Sequence, residues 1–168
     1  MQLIHILLYI CRCKNKILKK SVIFERTILP YLGITAKLAG FYFIDTFHDN
    51  GIELSKEQWL VLKKLHDKDG QIQNDLAFIT NRSKTSLTRL INTMEKKELV
   101  YRVISKEDKR INHIHLSDIG KETFLNSLPV LKNLISELQE GISAEDLERT
   151  KKVLKHIQNN ISKKLTTN

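Results

Sequence analysis

The chain has 168 residues, with 28 Lys and Arg against 19 Asp and Glu, which gives a formal net charge of +9. This length fits one domain with or without an arm. A hydrophobic share of 41% supports a packed core, which excludes a disordered tail and a small disulfide-stapled module. The six glycines are scattered, so the phosphate-binding glycine loops of nucleotide enzymes are missing. H-E-x-x-H, G-x-S-x-G and paired C-x-x-C motifs are also missing, and we expect no enzyme activity.

The positive charge is concentrated in two segments. Residues 1–20 carry five basic side chains and no acid, and residues 82–110 carry nine basic and four acidic side chains. The rest of the chain is close to neutral. A localised excess of this kind favours contact with a polyanion, although charge alone leaves an ordinary solvated surface as the alternative.

The N-terminal arm, residues 1–29, has an uncertain role. Its apolar run over residues 3–11 is about half of the roughly 20 residues that a membrane helix needs, and the basic residues follow this run, whereas an export signal has them in front. Cys11 and Cys13 are too close together to bridge a fold, so we expect a reducing, cytoplasmic location. The arm is either an extra helical turn packed on a partner or an upstream extension outside the working domain.

Three helices are predicted before residue 80. Apolar residues at helical spacing from Pro30 to Asn50 predict a first helix that is apolar on nearly all sides, which favours burial against another subunit. Ser55 and Gln58 form a capping box at the start of a second helix, whose inward face carries Trp59, Leu62 and Leu65. A short third helix covers Gln73–Ile79, with Leu76 and Ala77 facing inward.

A fourth helix begins at Ser83, a good N-cap, and has two contrasting faces. One face is apolar, with Leu87, Leu90, Ile91 and Met94. The other is polar and mostly short, with Thr85, Thr88, Arg89, Asn92 and Lys96. Short side chains let a phosphate backbone approach closely, while Arg89 and Asn92 reach base edges.

Two strands follow, over Leu99–Ser105 and Ile111–Leu116, and their charged connection makes a β-hairpin. Helix, short helix, turn, helix and hairpin is the order of a winged helix-turn-helix. In that arrangement the last helix enters the major groove, and the hairpin tip reaches the neighbouring minor groove.

Two long helices complete the chain. Ser117 caps the first, which contains Pro129, a residue expected to kink it, and Gly141 ends it. Ser143 caps the last, which runs to Leu165. These helices and the apolar first helix are more than a small DNA-binding unit needs to cover itself, so we expect 30–50 and 117–165 to serve dimerisation.

The segments SKEQWLVLKKL, QNDLAFITNRSKTSLTRLINTMEKKELV and SKEDKRINHIHLSDIGKE resemble the second helix, the helix-turn-helix and the wing of MarR-type winged-helix transcription regulators. The resemblance covers roughly Tyr31 to Leu165. It implies a mainly α fold with a small β-hairpin wing (α+β), as a single domain over 30–168 that contains a winged helix-turn-helix over 54–116. Glu98 and Asn81 stand where the family commonly has glycine. A left-handed helix end at Glu98 therefore costs about 1 kcal/mol, or another termination replaces it.

The resemblance assigns DNA contacts to the recognition helix and the wing. The predicted DNA-binding residues are Arg82, Ser83, Lys84, Thr85, Ser86, Thr88, Arg89, Asn92, Lys109 and Arg110. The wing element Asp108-Lys109-Arg110 implies that Arg110 enters the minor groove, and that Asp108 holds its guanidinium through a charge-assisted pair.

The expected function is that of a homodimeric repressor that binds a pseudo-palindromic site in double-stranded DNA, with no cofactor, metal site or membrane partner. The resemblance also implies a small-molecule pocket, which Phe41, Phe43, Phe47 and Trp59 could line, although core and dimer packing explains each of them as well. Two alternatives remain. One is a winged-helix module that binds a protein, and the other is a regulator that senses oxidants or metals through Cys11 and Cys13 or through His113 and His115.

Overall fold

The computed structural model describes residues 22–79 and 83–165, so the predictions for Cys11, Cys13, Asn81 and Arg82 lie outside the described residues. The helices are α1 (Val22–Glu25), α2 (Leu29–Asp49), α3 (Lys56–Asp67), α4 (Gln73–Ile79), α5 (Lys84–Lys96), α6 (Asp118–Leu138) and α7 (Ala144–Leu165), and the strands are β1 (Gln71–Ile72), β2 (Val100–Ile104) and β3 (Asn112–Leu116). Across the described ranges, no helix combines the length and the apolar character needed to cross a bilayer.

Serine side chains cap four of the helices, as the sequence predicts. At the start of α3, Ser55 Oγ accepts from the Gln58 amide at 3.2 Å and Gln58 Oε1 accepts from the Ser55 amide at 3.0 Å, which is a complete capping box. Ser83, Ser117 and Ser143 accept in the same way from the amide three residues ahead, at α5, α6 and α7. These caps satisfy first-turn amides that have no partner within the helix.

The sheet has three antiparallel strands in the order β1-β3-β2, so the prediction of a two-stranded hairpin was incomplete. The predicted pair is present, with Val100 opposite Leu116 and Ile104 opposite Asn112. Strand β1 adds to its other side, with Gln71 opposite Ile114. A two-residue strand is too short to show alternation, so only its pairing with β3 makes it visible.

The core lies between the helices and the inner face of the sheet. The fully buried large side chains include Phe47, Val61, Leu62, Leu65, Leu76, Leu87, Ile91, Met94 and Ile114. The predicted inward positions Leu76 and Ala77 are buried, as are the apolar positions Leu87, Ile91 and Met94 of α5. Burial of this one face leaves the opposite face of α5 free to meet a ligand.

Helix α5 ends in a left-handed residue. Glu98 has φ of +57°, and it is the one non-glycine residue with positive φ among those that the structure describes. Its amide donates to the Glu95 carbonyl at 2.9 Å, and the Leu99 amide donates to the Met94 carbonyl at 3.0 Å. These two bonds form a Schellman motif, so the helix keeps the termination that usually takes glycine, here with a glutamate in it.

Helix α6 packs on α3 and α2 and continues through Pro129. Tyr42 Oη donates to Glu137 Oε2 and so ties α2 to α6, and this bond to a carboxylate raises the pKa of Tyr42 above its ordinary value. Helix α7 has no buried residue, although Leu147, Leu154 and Ile157 repeat along one side of it. The kink at Pro129 and the role of α7 in dimerisation stay predictions.

Candidate nucleic-acid interface

The polar face of α5 is exposed along most of the helix. Of the predicted DNA-contacting residues, Ser83, Lys84, Thr85, Thr88, Arg89 and Asn92 are exposed and Ser86 is half-buried. Thr88 Oγ1 donates to the Lys84 carbonyl at 2.9 Å and Thr93 Oγ1 donates to the Arg89 carbonyl at 3.0 Å. Because these hydroxyl protons are used within the helix, neither Thr88 nor Thr93 has a hydroxyl proton left to donate to a partner.

Arg102 on β2 joins the wing to α5. Its Nη2 donates to Asn92 Oδ1 at 2.7 Å, its Nε donates to Gln73 Oε1 at 3.1 Å, and its Nη1 forms an ion pair with Glu95. Gln73 Nε2 in turn donates to Thr88 Oγ1 at 2.9 Å. We call this set, Gln73, Thr88, Asn92, Glu95 and Arg102, the Arg102 network.

Sequence patterns alone did not reveal the Arg102 network. Arg102 alternates with Tyr101 and Val103, so it shares a face with buried Val100, and that alternation indicates an inward-facing arginine. It does not indicate which side chains across the fold meet the guanidinium. The network matters for the interface because two predicted DNA contacts, Thr88 and Asn92, have hydrogen bonds of their own.

The wing tip is a tight, exposed turn. Ser105 Oγ accepts from the Glu107 amide at 3.2 Å, and the Ser105 amide donates to the Ile111 carbonyl at 2.9 Å. The cationic side chains Lys106, Lys109 and Arg110 all lie exposed on this turn. The predicted wing contacts Lys109 and Arg110 are therefore available to a partner.

Asp108 makes a different contact from the one that the resemblance implies. Its Oδ1 accepts from the backbone amide of Arg110 at 2.8 Å, where a pair with the Arg110 guanidinium was expected. The reason is local: an aspartate readily bonds the amide two residues ahead in a turn, and this bond orders the backbone. Asp108 thus positions Arg110 through its main chain and leaves the guanidinium exposed.

His113 and His115 support the base of the wing. His113 Nδ1 lies 3.0 Å from the Gly70 carbonyl oxygen, and His115 Nδ1 lies 2.8 Å from Asp69 Oδ2. The His115 ring also stacks on Tyr101, with ring centroids 5.3 Å apart. Among the described residues, no three His, Cys, Asp or Glu side chains are grouped so that they could hold a metal ion.

The four predicted pocket residues do not share one environment. Phe43 and Phe47 are buried and stack with centroids 4.0 Å apart, whereas Phe41 is 41% exposed. Trp59 is half-buried, and its Nε1 donates to Ser127 Oγ at 2.8 Å. A surface depression of about 540 Å³ lies elsewhere, at the turn between α6 and α7, lined by Ser136, Glu137, Gln139, Glu140, Ile142, Ala144 and Leu147.

The part of the chain that forms this interface is similar to known proteins. Residues 54–111, which include α3, α4, α5, β2 and the wing tip, match the model of the MarR family. Over this segment the chain is similar to the MarR family. Members of the MarR family are transcription regulators, which agrees with the expectation that this chain is not an enzyme.

Solved structures share the fold over most of the chain. A MepR–DNA complex from S. aureus superposes with a TM-score of 0.73 at 21% identity, over 80% of this chain and 98% of that one. A mutant of MarR from E. coli complexed with operator DNA superposes with a TM-score of 0.72 at 16% identity, over 77% of this chain and 92% of that one. A probable transcriptional regulator from Pseudomonas aeruginosa superposes with a TM-score of 0.71 at 20% identity, over 80% of this chain and 98% of that one. The fold is therefore the winged-helix fold of MarR-type structures, mainly helical with a small antiparallel sheet, as predicted.

Proposed function

We propose that this protein is a sequence-specific, homodimeric transcription repressor that binds a pseudo-palindromic operator and responds to a small molecule. The observation that carries the proposal is the exposed polar face of α5 beside an exposed cationic wing tip, in a segment similar to the MarR family. In this reading α5 enters the major groove, and Lys109 and Arg110 reach the adjacent minor groove. A protein of this kind acts on DNA in the cytoplasm.

The exposed apolar surface supports a dimer. On α2, Leu29, Tyr31, Ile34, Leu38, Phe41 and Ile44 are exposed, and Tyr31 reaches 67%. On α7, Val153, Ile161 and Leu165 are exposed as well. Large apolar patches of this kind are uncommon on monomers, and a two-fold dimer would bury them. Two recognition helices would then meet half-sites about one helical turn apart.

Binding to DNA is the direct test. A labelled duplex from upstream of the protein's own gene is titrated at several salt concentrations, with random duplex as competitor, and binding is followed by fluorescence anisotropy. We expect competitor-resistant binding of two subunits per site. We also expect Arg89→Ala to relax base preference by about 1–3 kcal/mol, and Arg110→Ala to flatten the salt dependence by at most about one phosphate equivalent.

Arg26→Ala is the matched control. Arg26 is an exposed arginine between α1 and α2, outside α5, the wing tip and the helices proposed for dimerisation, and its replacement changes the net charge by the same amount. This variant should bind the duplex like the wild type. If Arg89→Ala and Arg110→Ala also leave affinity, preference and salt dependence unchanged, the winged domain serves another partner, such as a protein.

The response to a small molecule rests on the family resemblance. An effector that changes the spacing of the two recognition helices would weaken DNA binding through a coupling of about 1–3 kcal/mol. Trp59 is the single tryptophan of the chain, so its emission reports ligands that bind near α3 and α6. A compound that changes this emission without weakening DNA binding would contradict the proposed coupling. Sensing through Cys11 and Cys13 would appear as a loss of DNA binding upon oxidation.

A further inference from the structure

The Arg102 network fixes which end of the Asn92 side chain faces outward. A guanidinium has only donors, so the atom of Asn92 that lies 2.7 Å from Arg102 Nη2 has to be the acceptor, Oδ1. The Nδ2 amino group is then the end of the amide that remains for another partner. An exposed asparagine ordinarily turns about its side-chain bonds and offers either end, but here one end is held.

The guanidinium is itself held on three sides. Its Nε, Nη1 and Nη2 contact Gln73, Glu95 and Asn92 respectively, and the Arg102 and Glu95 side chains are only 22% and 29% exposed. The adjacent carboxylate balances the charge of Arg102. Arg102 is therefore a poor phosphate ligand, and it acts on the interface through the side chains that it orients.

This orientation limits what Asn92 can read. Bidentate recognition of adenine uses both the oxygen and the amino group of an asparagine, because adenine presents one donor and one acceptor in the major groove. An asparagine whose oxygen is engaged by Arg102 offers two N–H donors, and its oxygen has only one lone pair left to accept a hydrogen bond. Guanine presents two acceptors there, N7 and O6, and fits this end of the side chain.

We propose that Arg102 is a positioning residue that sets base preference: it holds Asn92 so that the recognition helix favours guanine over adenine at the base pair beneath Asn92. The inference rests on the proposed function, since it needs α5 to lie in the major groove. Arg102 on the wing strand β2 would then determine base specificity in the major groove, although Arg102 itself lies outside that groove.

The test starts from duplexes selected by the wild-type protein out of a randomised pool. The pair that loses its preference in Asn92→Ala is the Asn92 pair, and duplexes with each of the four bases at this position are then titrated by anisotropy. We expect the wild type to favour guanine over adenine about tenfold, within the range of one good bidentate contact. In Arg102→Met the guanine-to-adenine ratio should fall at least about fivefold, because the freed amide can turn, and the salt dependence should stay as in the wild type.

A second variant keeps the proposal testable if Arg102→Met folds poorly. Asn92→Asp retains an acceptor for Arg102 and replaces the amino group with a second acceptor. Its preference should move from guanine to cytosine, whose N4 amino group donates. Retention of guanine preference by Asn92→Asp would overturn the proposal.

Lys97→Met is the matched control, since Lys97 is a neighbouring cation whose Nζ donates to the Glu53 carbonyl at 2.8 Å, away from Asn92. It should keep the wild-type ratio. An equal loss of affinity for all four bases in Arg102→Met, with the ratio unchanged, means that Arg102 only stabilises the fold. If the wild type enriches no duplex, the proposed function fails. If duplexes are enriched but Asn92→Ala changes no single pair, the function stands and this inference fails.

Discussion

The Leu99 carbonyl oxygen lies so close to Gly120 that a Cβ on this glycine would stand 2.0 Å from it. Neither side of this contact can move freely. The Leu99 amide closes the Schellman motif at the end of α5, and the Leu99 carbonyl accepts from the Ser117 amide at 3.2 Å. The absent side chain at Gly120 thus lets α6 start directly against the end of α5, so the two helices meet backbone to backbone.

Gly120→Ala should destabilise the protein by about 3 kcal/mol or more, because the added methyl group overlaps backbone atoms and no flexible side chain can yield. The measurement is the free energy of unfolding in urea at one protein concentration for all variants, so that any self-association affects them equally. Gly33→Ala is the matched control: Gly33 lies within α2 with no atom within 4 Å of an added Cβ, so this change should stabilise by up to about 1 kcal/mol. Equal urea midpoints for Gly120→Ala and the wild type would contradict the close contact between the Leu99 carbonyl oxygen and Gly120.

Glu98→Gly should stabilise the protein by about 1 kcal/mol. Glu98 has φ of +57°, a conformation that costs a side chain about that much and that glycine adopts freely. Thermal and urea unfolding measure the gain. The control is Lys96→Gly in the last turn of α5, where a helical backbone gives glycine no advantage and a loss of about 1 kcal/mol is expected. A loss in both variants would show that the glutamate side chain contributes more than its backbone costs.

The parts of the fold that depend on near neighbours could be predicted from the sequence. Ser55 and Gln58 cap a helix three residues apart, and Leu87 and Ile91 share one face of a single helix. The short helix predicted over roughly Gln73–Ile79 is present. These features follow from local geometry, which the spacing of residue types records directly.

The parts that depend on tertiary placement could not be predicted. Arg102 and Asn92 are ten residues apart and meet only because β2 packs on α5, and β1 exists only as a partner of β3. At the wing, the family pattern implied a side-chain pair between Asp108 and Arg110, but the backbone amide lies within easier reach of the carboxylate. The exposure of the polar face of α5 and of the wing tip could thus be predicted, whereas the hydrogen bonds that orient these side chains could not.

Ser127→Ala should cost about 1–2 kcal/mol, because it removes the acceptor of the Trp59 indole N–H. Ser127 is fully buried, and its own hydroxyl donates to the Phe124 carbonyl at 2.6 Å. The double variant Trp59→Phe with Ser127→Ala leaves no unpaired indole donor. Its loss should therefore be smaller than the sum of the two single losses, as a double-mutant cycle measures. Strict additivity would show that the hydrogen bond contributes nothing to stability.

Asp69 should make the wing sensitive to acid. Partial burial acts to raise the pKa of Asp69, but hydrogen bonds from the Leu116 amide, from His115 and from the Gly70 amide outweigh it, so the pKa lies below its ordinary value of 3.8. A carboxylate whose pKa is lower in the folded state than in the unfolded state contributes its full stabilisation of the fold above pH 3.8. This contribution is lost as the pH falls through the pKa of the folded state. Asp69→Asn keeps the shape and an acceptor for Leu116 but removes the charge, so it should cost on the order of 1 kcal/mol near pH 6. The difference in unfolding free energy between this variant and the wild type should then shrink as the pH falls below 3.8. A difference that stays constant down to pH 2.5 would show that the charge of Asp69 does not stabilise the wing.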